Sequence, residues 1–257
     1  MPVITLLSDF GTRDYFVGAM KGVLLSLNPD VTLVDISHEI PPQDIFTGAF
    51  TLGQAYSCFP PGTVHCAVVD PGVGTGRKAL AAAAAGHYFV APDNGILTYI
   101  MEANEDFVAH EITADHYFRK PVSATFHGRD VFGPVAAWIS RGIELHQLGP
   151  VLRTPARLEI PALKKVRDTL IQGTILAVDR FGNLITNLKP QDVSMPFKIL
   201  AGQREITALR KTYGEGMPGE VIVVPGSAGY LEIAVKGGSA SAALSMKAGA
   251  PIGVILQ

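Results

Sequence analysis

Cysteine and tryptophan are scarce in this chain of 257 residues, which holds two cysteines and one tryptophan. The spacing of Cys58 and Cys66 matches neither a zinc-binding motif nor the disulfide framework of a small secreted domain. We therefore expect two buried, reduced thiols without a chemical role. Hydrophobic residues make up 47% of the chain, which is enough to build the cores of two modest domains.

Charge is also sparse, at 17% of residues with a formal net charge of −2, below the usual quarter. No basic tract is present, which argues against nucleic acid or an anionic membrane as partner. The small apolar run from Ala79 to Ala85 is too short to span a membrane. The first residues lack the basic start and apolar stretch of a signal peptide. We expect a soluble cytoplasmic protein, and the low charge favours an oligomer.

Several familiar catalytic signatures are missing. The sequence contains no P-loop and no G-x-S-x-G nucleophile elbow, and the glycines at positions 72, 74 and 76 do not have G-x-G-x-x-G spacing. Its seven histidines form no H-x-x-x-H pair. These absences argue against the enzyme classes that carry those motifs. They leave open a metal site that is assembled only by the fold.

Apolar strands and helical segments alternate through the first half of the chain. We predict strands at 3–7, 31–36, 64–69, 79–85 and 87–91, and helices at 16–27, 44–59, 96–101 and 129–139. Such alternation predicts a mostly parallel sheet with helices on both faces. In these sheets, ligands bind beyond the carboxyl ends of the strands, where Asp9 and Asp70 stand.

The second half of the chain has a different character. Residues 148–165 contain several prolines and read as a connector. The short strands predicted after it include 173–178, 221–224, 243–246 and 252–256, and they indicate a small antiparallel barrel or sandwich. We therefore predict an N-terminal α/β domain over residues 1–160 and a smaller C-terminal β domain over residues 161–257.

A glycine-rich turn after the strand at 64–69 carries the strongest chemical signal. A carboxylate, Asp70, ends the buried strand, and Arg77 follows seven residues later. A charge at the end of a buried strand is costly unless it is paired or used. Glycines allow the intervening turn to fold tightly. We expect Asp70 and Arg77 to meet at one wall of a pocket, as a proton acceptor and an anion-stabilising group.

Three further clusters are candidates. Asp9 at a strand end could hold the two hydroxyls of a ribose, or it could be structural, with Asp14 capping the next helix. His127 before a helix could act as an acid–base group, or it could be an ordinary surface histidine. In residues 179–183, Phe181 could stack on a flat ring and Asn183 could bind an adenine edge. The alternative for that segment is a simple β-turn.

Four motifs occur together and in a recognisable order. They are Ser8-Asp9-Phe10-Gly11, Asp70-Pro71-Gly72-Val73-Gly74, Phe126-His127-Gly128-Arg129-Asp130 and Asp179-Arg180-Phe181-Gly182-Asn183. Each is weak alone, but together they closely resemble the S-adenosyl-L-methionine (SAM) hydrolase (adenosine-forming) family. Its members, also called SAM hydroxide adenosyltransferases, are relatives of the bacterial fluorinase and chlorinase. The resemblance extends from Ile4 to about Ile255.

The resemblance implies a catalytic set of Asp70, Arg77 and His127 that activates water. Halogenating relatives have Tyr-Ser in place of His127-Gly128 and lack the Asp70–Arg77 arrangement, so this chain follows the hydrolase pattern. The implied substrate contacts are ribose at Asp9, the methionine end at Asp14, Asp179 and Ser227, and adenine at Asn183 with Phe181 nearby. Gln43 replaces the aromatic residue that covers the ribose in fluorinase, and Ala228 replaces its carboxylate-binding arginine.

The implied reaction is the hydrolysis of SAM to adenosine and L-methionine, with SAM as substrate, no cofactor and no metal. The resemblance also implies a C-terminal β-barrel and a homotrimer, with substrate between the N-terminal domain of one subunit and the C-terminal domain of its neighbour. Two alternatives remain. One is a metal-dependent phosphoesterase or nucleoside hydrolase that uses Asp9, Asp70 and His127. The other is a non-catalytic nucleoside or SAM sensor.

Overall fold

The computed structural model describes residues 1–193 and 196–256, and it divides the chain into two compact units, Met1–Leu158 and Glu159–Gln257. The first unit is a mixed α/β layer structure, and the second is almost entirely antiparallel β-structure. The predicted fold class is therefore confirmed.

A sheet runs through the first unit in the order β2-β1-β3-β5-β4-β6. Its strands are β1 (Val3–Ser8), β2 (Thr32–Ser37), β3 (Val64–Val68), β4 (Ala79–Ala84), β5 (His87–Pro92) and β6 (Val108–Glu111). β1 pairs in parallel with β2 and β3, and β3 pairs in parallel with β5, whereas β4 is antiparallel to both of its neighbours. The carboxyl ends of β1 and β3 therefore lie side by side, which brings the segments after Ser8 and Val68 to one edge.

Helices cover both faces of this sheet, as predicted. They are α1 (Phe16–Leu27), α2 (Ile45–Ala55), α3 (Thr98–Ala103) and α4 (Gly133–Ser140). α1 and α4 share one core with the strand residues Cys66 and Val68, whereas α2 and α3 share the other core with Ala67 and Val69. This alternation along β3 is what a strand buried on both faces requires.

The helix boundaries are partly as predicted. Asp44 caps α2, because its Oδ1 accepts a hydrogen bond of 2.9 Å from the backbone N–H of Thr47. The helix ends at Ala55, before the predicted 59, and a short 3₁₀ turn follows. The segment predicted as a helix from 129 starts instead as a wide π-type turn, Gly128–Phe132, which leads into α4. Such turns are frequent at functional sites.

The second unit has the strand order β11-β10-β14-β8-β9-β13-β12 among its described residues, and β7 also pairs with β8. Its elements are β7 (Lys164–Arg167), β8 (Leu170–Val178), β9 (Leu184–Thr186), β10 (Phe197–Ala201), β11 (Arg204–Ile206), β12 (Val221–Pro225), β13 (Leu231–Val235), α5 (Ala240–Leu244) and β14 (Pro251–Leu256). The first half of β8 pairs with β14 and its second half with β9. A bridge between Leu209 and Val223 joins the segment after β11 to β12, so the sheet curls into a nearly closed barrel.

Three smaller predictions were wrong. The strand predicted at 243–246 is replaced by α5, whose first turn is capped by the Ser239 hydroxyl accepting from the Ala242 N–H at 3.1 Å. The predicted connector, residues 148–165, includes the first two residues of β7. Cys58 is exposed, whereas Cys66 is buried as expected. In the described part of the chain, no helix has the length and apolar character needed to cross a membrane.

A pair of histidines lies in the core away from the strand ends that carry the candidate residues. His65 is fully buried, its Nδ1 is 2.7 Å from the Thr5 hydroxyl, and its Nε2 is 3.1 Å from Nδ1 of His87. Burial, with a smaller contribution from His87, lowers the pKa of His65 to about 3. Burial also lowers the pKa of His87. Both rings are therefore neutral at pH 7, whereas the unfolded chain takes up protons near pH 6.5.

We predict that this pair makes the protein acid-labile. Below pH 6.5 His65 becomes protonated in the unfolded chain, whereas in the folded protein it stays neutral down to about pH 3. The free energy of unfolding should therefore fall by up to about 1.4 kcal/mol per pH unit over this range. Urea unfolding between pH 7 and 4.5 should show a shallower fall for His65→Phe than for the wild type. The exposed-histidine variant His146→Gln should keep the wild-type slope; an equal slope in His65→Phe would contradict the assignment.

Candidate active site

Asp70 and Arg77 form a buried ion pair at the carboxyl end of β3. Their side chains are 4% and 9% exposed, respectively. Arg77 Nε donates to Asp70 Oδ1 at 3.0 Å, and Arg77 Nη2 donates to Oδ2, so the contact is bidentate. Bidentate pairing of this kind fixes both the position and the orientation of the carboxylate. The predicted meeting of Asp70 and Arg77 is therefore present in the structure.

His127 joins this pair through the same guanidinium. Arg77 Nη2 also donates to His127 Nδ1 at 3.0 Å. Burial and the positive charge of Arg77 lower the pKa of His127, and they outweigh the opposing effect of the Asp70 and Asp130 carboxylates. The ring is therefore neutral at pH 7. Because Nδ1 accepts from Arg77, we assign the ring proton to Nε2.

A close backbone approach brings the two loops together. Gly74 has φ +76°, and a Cβ at this position would lie 2.2 Å from the carbonyl oxygen of Ala124. Only glycine permits that approach. The residue before His127, Phe126, is buried against the rings of Phe10 and Phe16 at 5.8 and 5.1 Å. The loop that carries His127 is thus held from both sides.

A small cavity of about 40 Å³ lies beside the histidine and the aspartate. Its lining comprises Phe10, Val68, Asp70, Val73, Thr125, Phe126, His127 and Gly128. Of the described residues, Asp70 and His127 thus border this space, while Arg77 does not. The Arg77 guanidinium instead stacks on the Phe132 ring, 5.1 Å from its centroid. The cavity is large enough for a water molecule, which occupies about 30 Å³ in the liquid.

Asp9 and Asp14 lie near the end of β1 in different environments. Asp9 is half-buried, and its Oδ2 accepts a hydrogen bond of 2.8 Å from the backbone N–H of Gln43. Asp14 is exposed, and α1 begins after Tyr15 without a side-chain cap. The helix-capping alternative for Asp14 is therefore wrong. Asp9 precedes Phe10, which lines the cavity, and the contact with Gln43 fixes its carboxylate.

The Asp179–Asn183 segment is a closed turn in the second unit. Asp179 Oδ1 accepts from the N–H groups of Phe181 and Asn183 at 2.9 and 2.8 Å, and Oδ2 accepts from the Asn183 amide at 2.8 Å. Asn183 is buried, and its side-chain nitrogen donates to Asp179. Its Oδ1 is therefore the atom suited to accept a hydrogen bond from a ligand amine. Phe181 is 76% exposed. The predicted β-turn is present, and it presents a free aromatic ring.

Ser227 lies in the exposed turn after β12. A buried carboxylate packs closely against that turn, because a Cβ at Gly226 would lie 1.9 Å from Glu232 Oε1. Glu232 in turn accepts a hydrogen bond of 2.5 Å from the Tyr213 hydroxyl. Burial, followed by the hydrogen bond and charge of Glu232, raises the pKa of Tyr213. Glu232 was not predicted, because nothing in its local sequence, a regular apolar strand, marks it.

The sequence reasoning also missed the aromatic walls of the cavity. Phe10 and Phe126 stand next to the predicted residues Asp9 and His127, and Phe132 lies under Arg77. A signal was available in part, since Phe10 and Phe126 belong to the motifs that were singled out. Phe132 had no such signal, because its role depends on the packing of the π-type turn.

Two family models match the chain along most of its length. The SAM hydroxide adenosyltransferase N-terminal domain matches residues 4–149, and the SAM hydroxide adenosyltransferase C-terminal domain matches residues 173–253. The chain belongs to the SAM hydroxide adenosyltransferase family. The family resemblance seen in the four sequence motifs is thereby confirmed.

Individual family members support the same assignment. The (R)-S-adenosyl-L-methionine hydrolase of Thermus thermophilus is 40% identical, over 98% of this chain and 99% of its own. The enzyme of that name from Salinispora tropica is 38% identical over 96% and 95%. A fluorinase from Actinoplanes is 28% identical over 98% and 97%. An uncharacterised conserved protein of Thermotoga maritima has a similar structure, with a TM-score of 0.90 and 37% identity over 98% and 99%.

The described residues contain no group of three or more histidine, cysteine, aspartate or glutamate side chains placed to hold a metal ion. Asp70, which the metal-dependent alternative would use as a ligand, is instead occupied by the two donors of Arg77. Asp9 is engaged by a backbone N–H. The arrangement is therefore that of an ion pair with a neutral histidine beside a small cavity.

The close approach at Gly74 generates a matched pair of variants. We predict that Gly74→Ala lowers kcat at least about tenfold, because the new methyl group must push the loop of residues 123–127 away. Gly76 is in the same loop, and a Cβ there would meet nothing within 4 Å. Gly76→Ala should therefore keep wild-type kcat. Equal kcat in both variants, measured on protein with a checked thermal unfolding curve, would show that the approach does not matter.

Proposed function

We propose that this protein hydrolyses S-adenosyl-L-methionine to adenosine and L-methionine by attack of water on C5′ of the ribose. The observation that carries this proposal is the contact of one guanidinium with both Asp70 and His127 at the edge of a cavity sized for water. Relatives of about 40% identity over nearly the whole chain bear the name of this hydrolase. That name specifies the (R) form of S-adenosyl-L-methionine, and we propose that the substrate of this protein is the same form.

Each of the three side chains has a distinct task in this proposal. Asp70 is the anionic group at the cavity, and its remaining lone pairs can accept a proton from water. His127 is neutral with its proton on Nε2, so it orients the water by donating to its oxygen rather than by removing a proton. Arg77 holds both groups and places a positive charge behind the developing hydroxide. The proton that water loses then passes from Asp70 to solvent.

The leaving group needs no acid. The sulfonium of SAM departs as a neutral thioether, and the water oxygen forms the new bond to C5′ from the opposite side. The attacking charge and the sulfonium charge cancel as the reaction proceeds, so a pocket with little water favours it. Alignment of the two reactants supplies up to about 7–11 kcal/mol if the geometry is near ideal. This chemistry requires no metal or other cofactor.

The substrate contacts are those that the family resemblance implies. We propose that Asp9 accepts from the ribose hydroxyls and that Asn183 accepts from the adenine amine through Oδ1, with Phe181 stacked on the base. The exposure of the Phe181 ring supports that role. The remaining contacts, to the amino and carboxylate groups of the methionine end, are Asp14, Asp179 and Ser227.

The finer organisation is also part of the proposal. Residues 1–160 and 161–257 form the two domains of the chain, a proposal that the division into compact units after Leu158 supports. The protein is a cytoplasmic homotrimer in which the N-terminal domain of one subunit and the C-terminal domain of its neighbour enclose SAM. The low charge of the chain and the exposed Phe181 support burial of surface between subunits.

The direct test is product analysis in [¹⁸O]water. Purified protein should convert SAM to adenosine and methionine, with the label in the 5′-hydroxyl of adenosine and none in methionine. Both sulfonium diastereomers should be supplied, with the (R) form consumed. Turnover should persist in excess EDTA. Release of free adenine, a requirement for a divalent cation, or tight SAM binding without turnover would each contradict the proposal and support one of the alternatives.

A matched pair of histidine variants guards this test against contaminating activity. His127→Ala should lower kcat by about 10²-fold, because the water loses its orienting donor and is no longer aligned with C5′. His116, which lies on the exposed surface, should tolerate alanine without loss. An unchanged kcat in His127→Ala would assign the hydrolysis to another protein or another site.

A further inference from the structure

A buried histidine lies behind the predicted ribose carboxylate. His38 is 4% exposed, and its Nδ1 is 2.7 Å from the hydroxyl of Ser8, which is 1% exposed. The two residues are thirty positions apart in the chain. A buried polar pair of this kind costs free energy unless its hydrogen bonds are satisfied, and it then fixes one arrangement of the backbone.

The direction of each contact in this network follows from its neighbours. The Ser8 hydroxyl oxygen accepts from the backbone N–H of Phe10 at 3.3 Å, so the hydroxyl hydrogen is free to donate to His38 Nδ1. We assign the ring proton to Nε2, which is 3.1 Å from Asp35 Oδ1 in an alignment too poor for a full hydrogen bond. Partial burial opposes ionisation of Asp35, but contacts with Lys21 and His38 lower its pKa. The Nε2 proton thus faces a carboxylate.

The segment from His38 to Gln43 forms two further hydrogen bonds with the turn after β1. The backbone carbonyl of His38 accepts from the N–H of Gly11 at 2.7 Å. Gln43 has φ +66°, an unusual value for a residue with a side chain, and its N–H donates to Asp9 Oδ2. Strain of this kind persists only where surrounding contacts impose it, and it is concentrated at functional sites.

We propose that His38 is a positioning residue, which acts through Ser8 to hold Asp9 in the orientation that binds the ribose hydroxyls. Asp9 lies between Ser8 and Phe10, and both of these residues are tied to the Ser8–His38 hydrogen bond. Asp9 thus has its flanking backbone fixed by His38 and its carboxylate fixed by Gln43. This inference rests on the proposed function, since it gives Asp9 the ribose.

The test compares calorimetric binding of adenosine with that of 2′,3′-dideoxyadenosine. Loss of two hydroxyls from a carboxylate contact should weaken binding to the wild type by about 10- to 100-fold. His38→Leu and Ser8→Ala should each reduce this preference to about threefold or less. His38→Asn, whose side-chain oxygen can accept from Ser8, should retain more of it than His38→Leu.

The control is a buried histidine outside the network. His87→Leu should lower the unfolding temperature and leave the ribose preference intact, which separates positioning from general stability. If His38→Leu does not fold, Ser8→Ala decides the matter alone. Full ribose preference in folded Ser8→Ala and His38→Leu would overturn the inference while leaving the proposed function standing. Absence of preference in the wild type would overturn the ribose role of Asp9, and this inference with it.

Discussion

The Asp70–Arg77 ion pair is the interaction on which the rest of the site depends. Both side chains are more than nine-tenths buried. Arg77 also donates to His127, which lies in a loop fifty residues further along the chain. A buried charge with one partner removed costs several kcal/mol. The pair therefore fixes the glycine turn after β3 and the loop before α4 with respect to each other. The small cavity exists because these two loops meet.

The contact between Arg77 and His127 determines the tautomer of His127, and the tautomer determines which chemical role the ring can have. A neutral ring that accepts from Arg77 at Nδ1 has no lone pair at Nε2. In the proposed mechanism the ring therefore orients water, and Asp70 is the anionic group that accepts the proton. The sequence indicated Asp70 as a proton acceptor and His127 as a candidate acid–base group. The division between them comes from a 3.0 Å contact that no linear pattern could reveal.

Much of the architecture could be predicted because it is local. α1 has the predicted limits, since its apolar spacing is regular, and Asp44 caps α2 as expected. β6 had no comparable signal, because four residues at an edge give too short a pattern. The segment predicted as a strand at 243–246 became α5 because Ser239 caps a helix there, a short-range hydrogen bond that outweighed the apolar spacing.

The candidate site was predictable to the extent that its parts are motifs. Asp70 and Arg77 could be paired from a strand end and a glycine turn, whereas His127 was only a candidate until the family resemblance joined it to them. The Ser8–His38 contact and the close packing of Glu232 against Gly226 could not be predicted. Only the sheet topology or a strand pairing brings the two residues of each contact close together.

The protonation state of the His127 ring is the sharpest test of the proposed division of roles between Asp70 and His127. In protein labelled with ¹⁵N histidine, two-dimensional NMR distinguishes the two neutral tautomers and the cation. We predict that His127 is neutral at pH 7 and carries its proton on Nε2. Because its pKa is lowered, the ring should become charged only at a lower pH than an ordinary histidine. A His127 that is cationic at pH 7, or that carries its proton on Nδ1, would contradict the contact with Arg77 and the mechanism built on it.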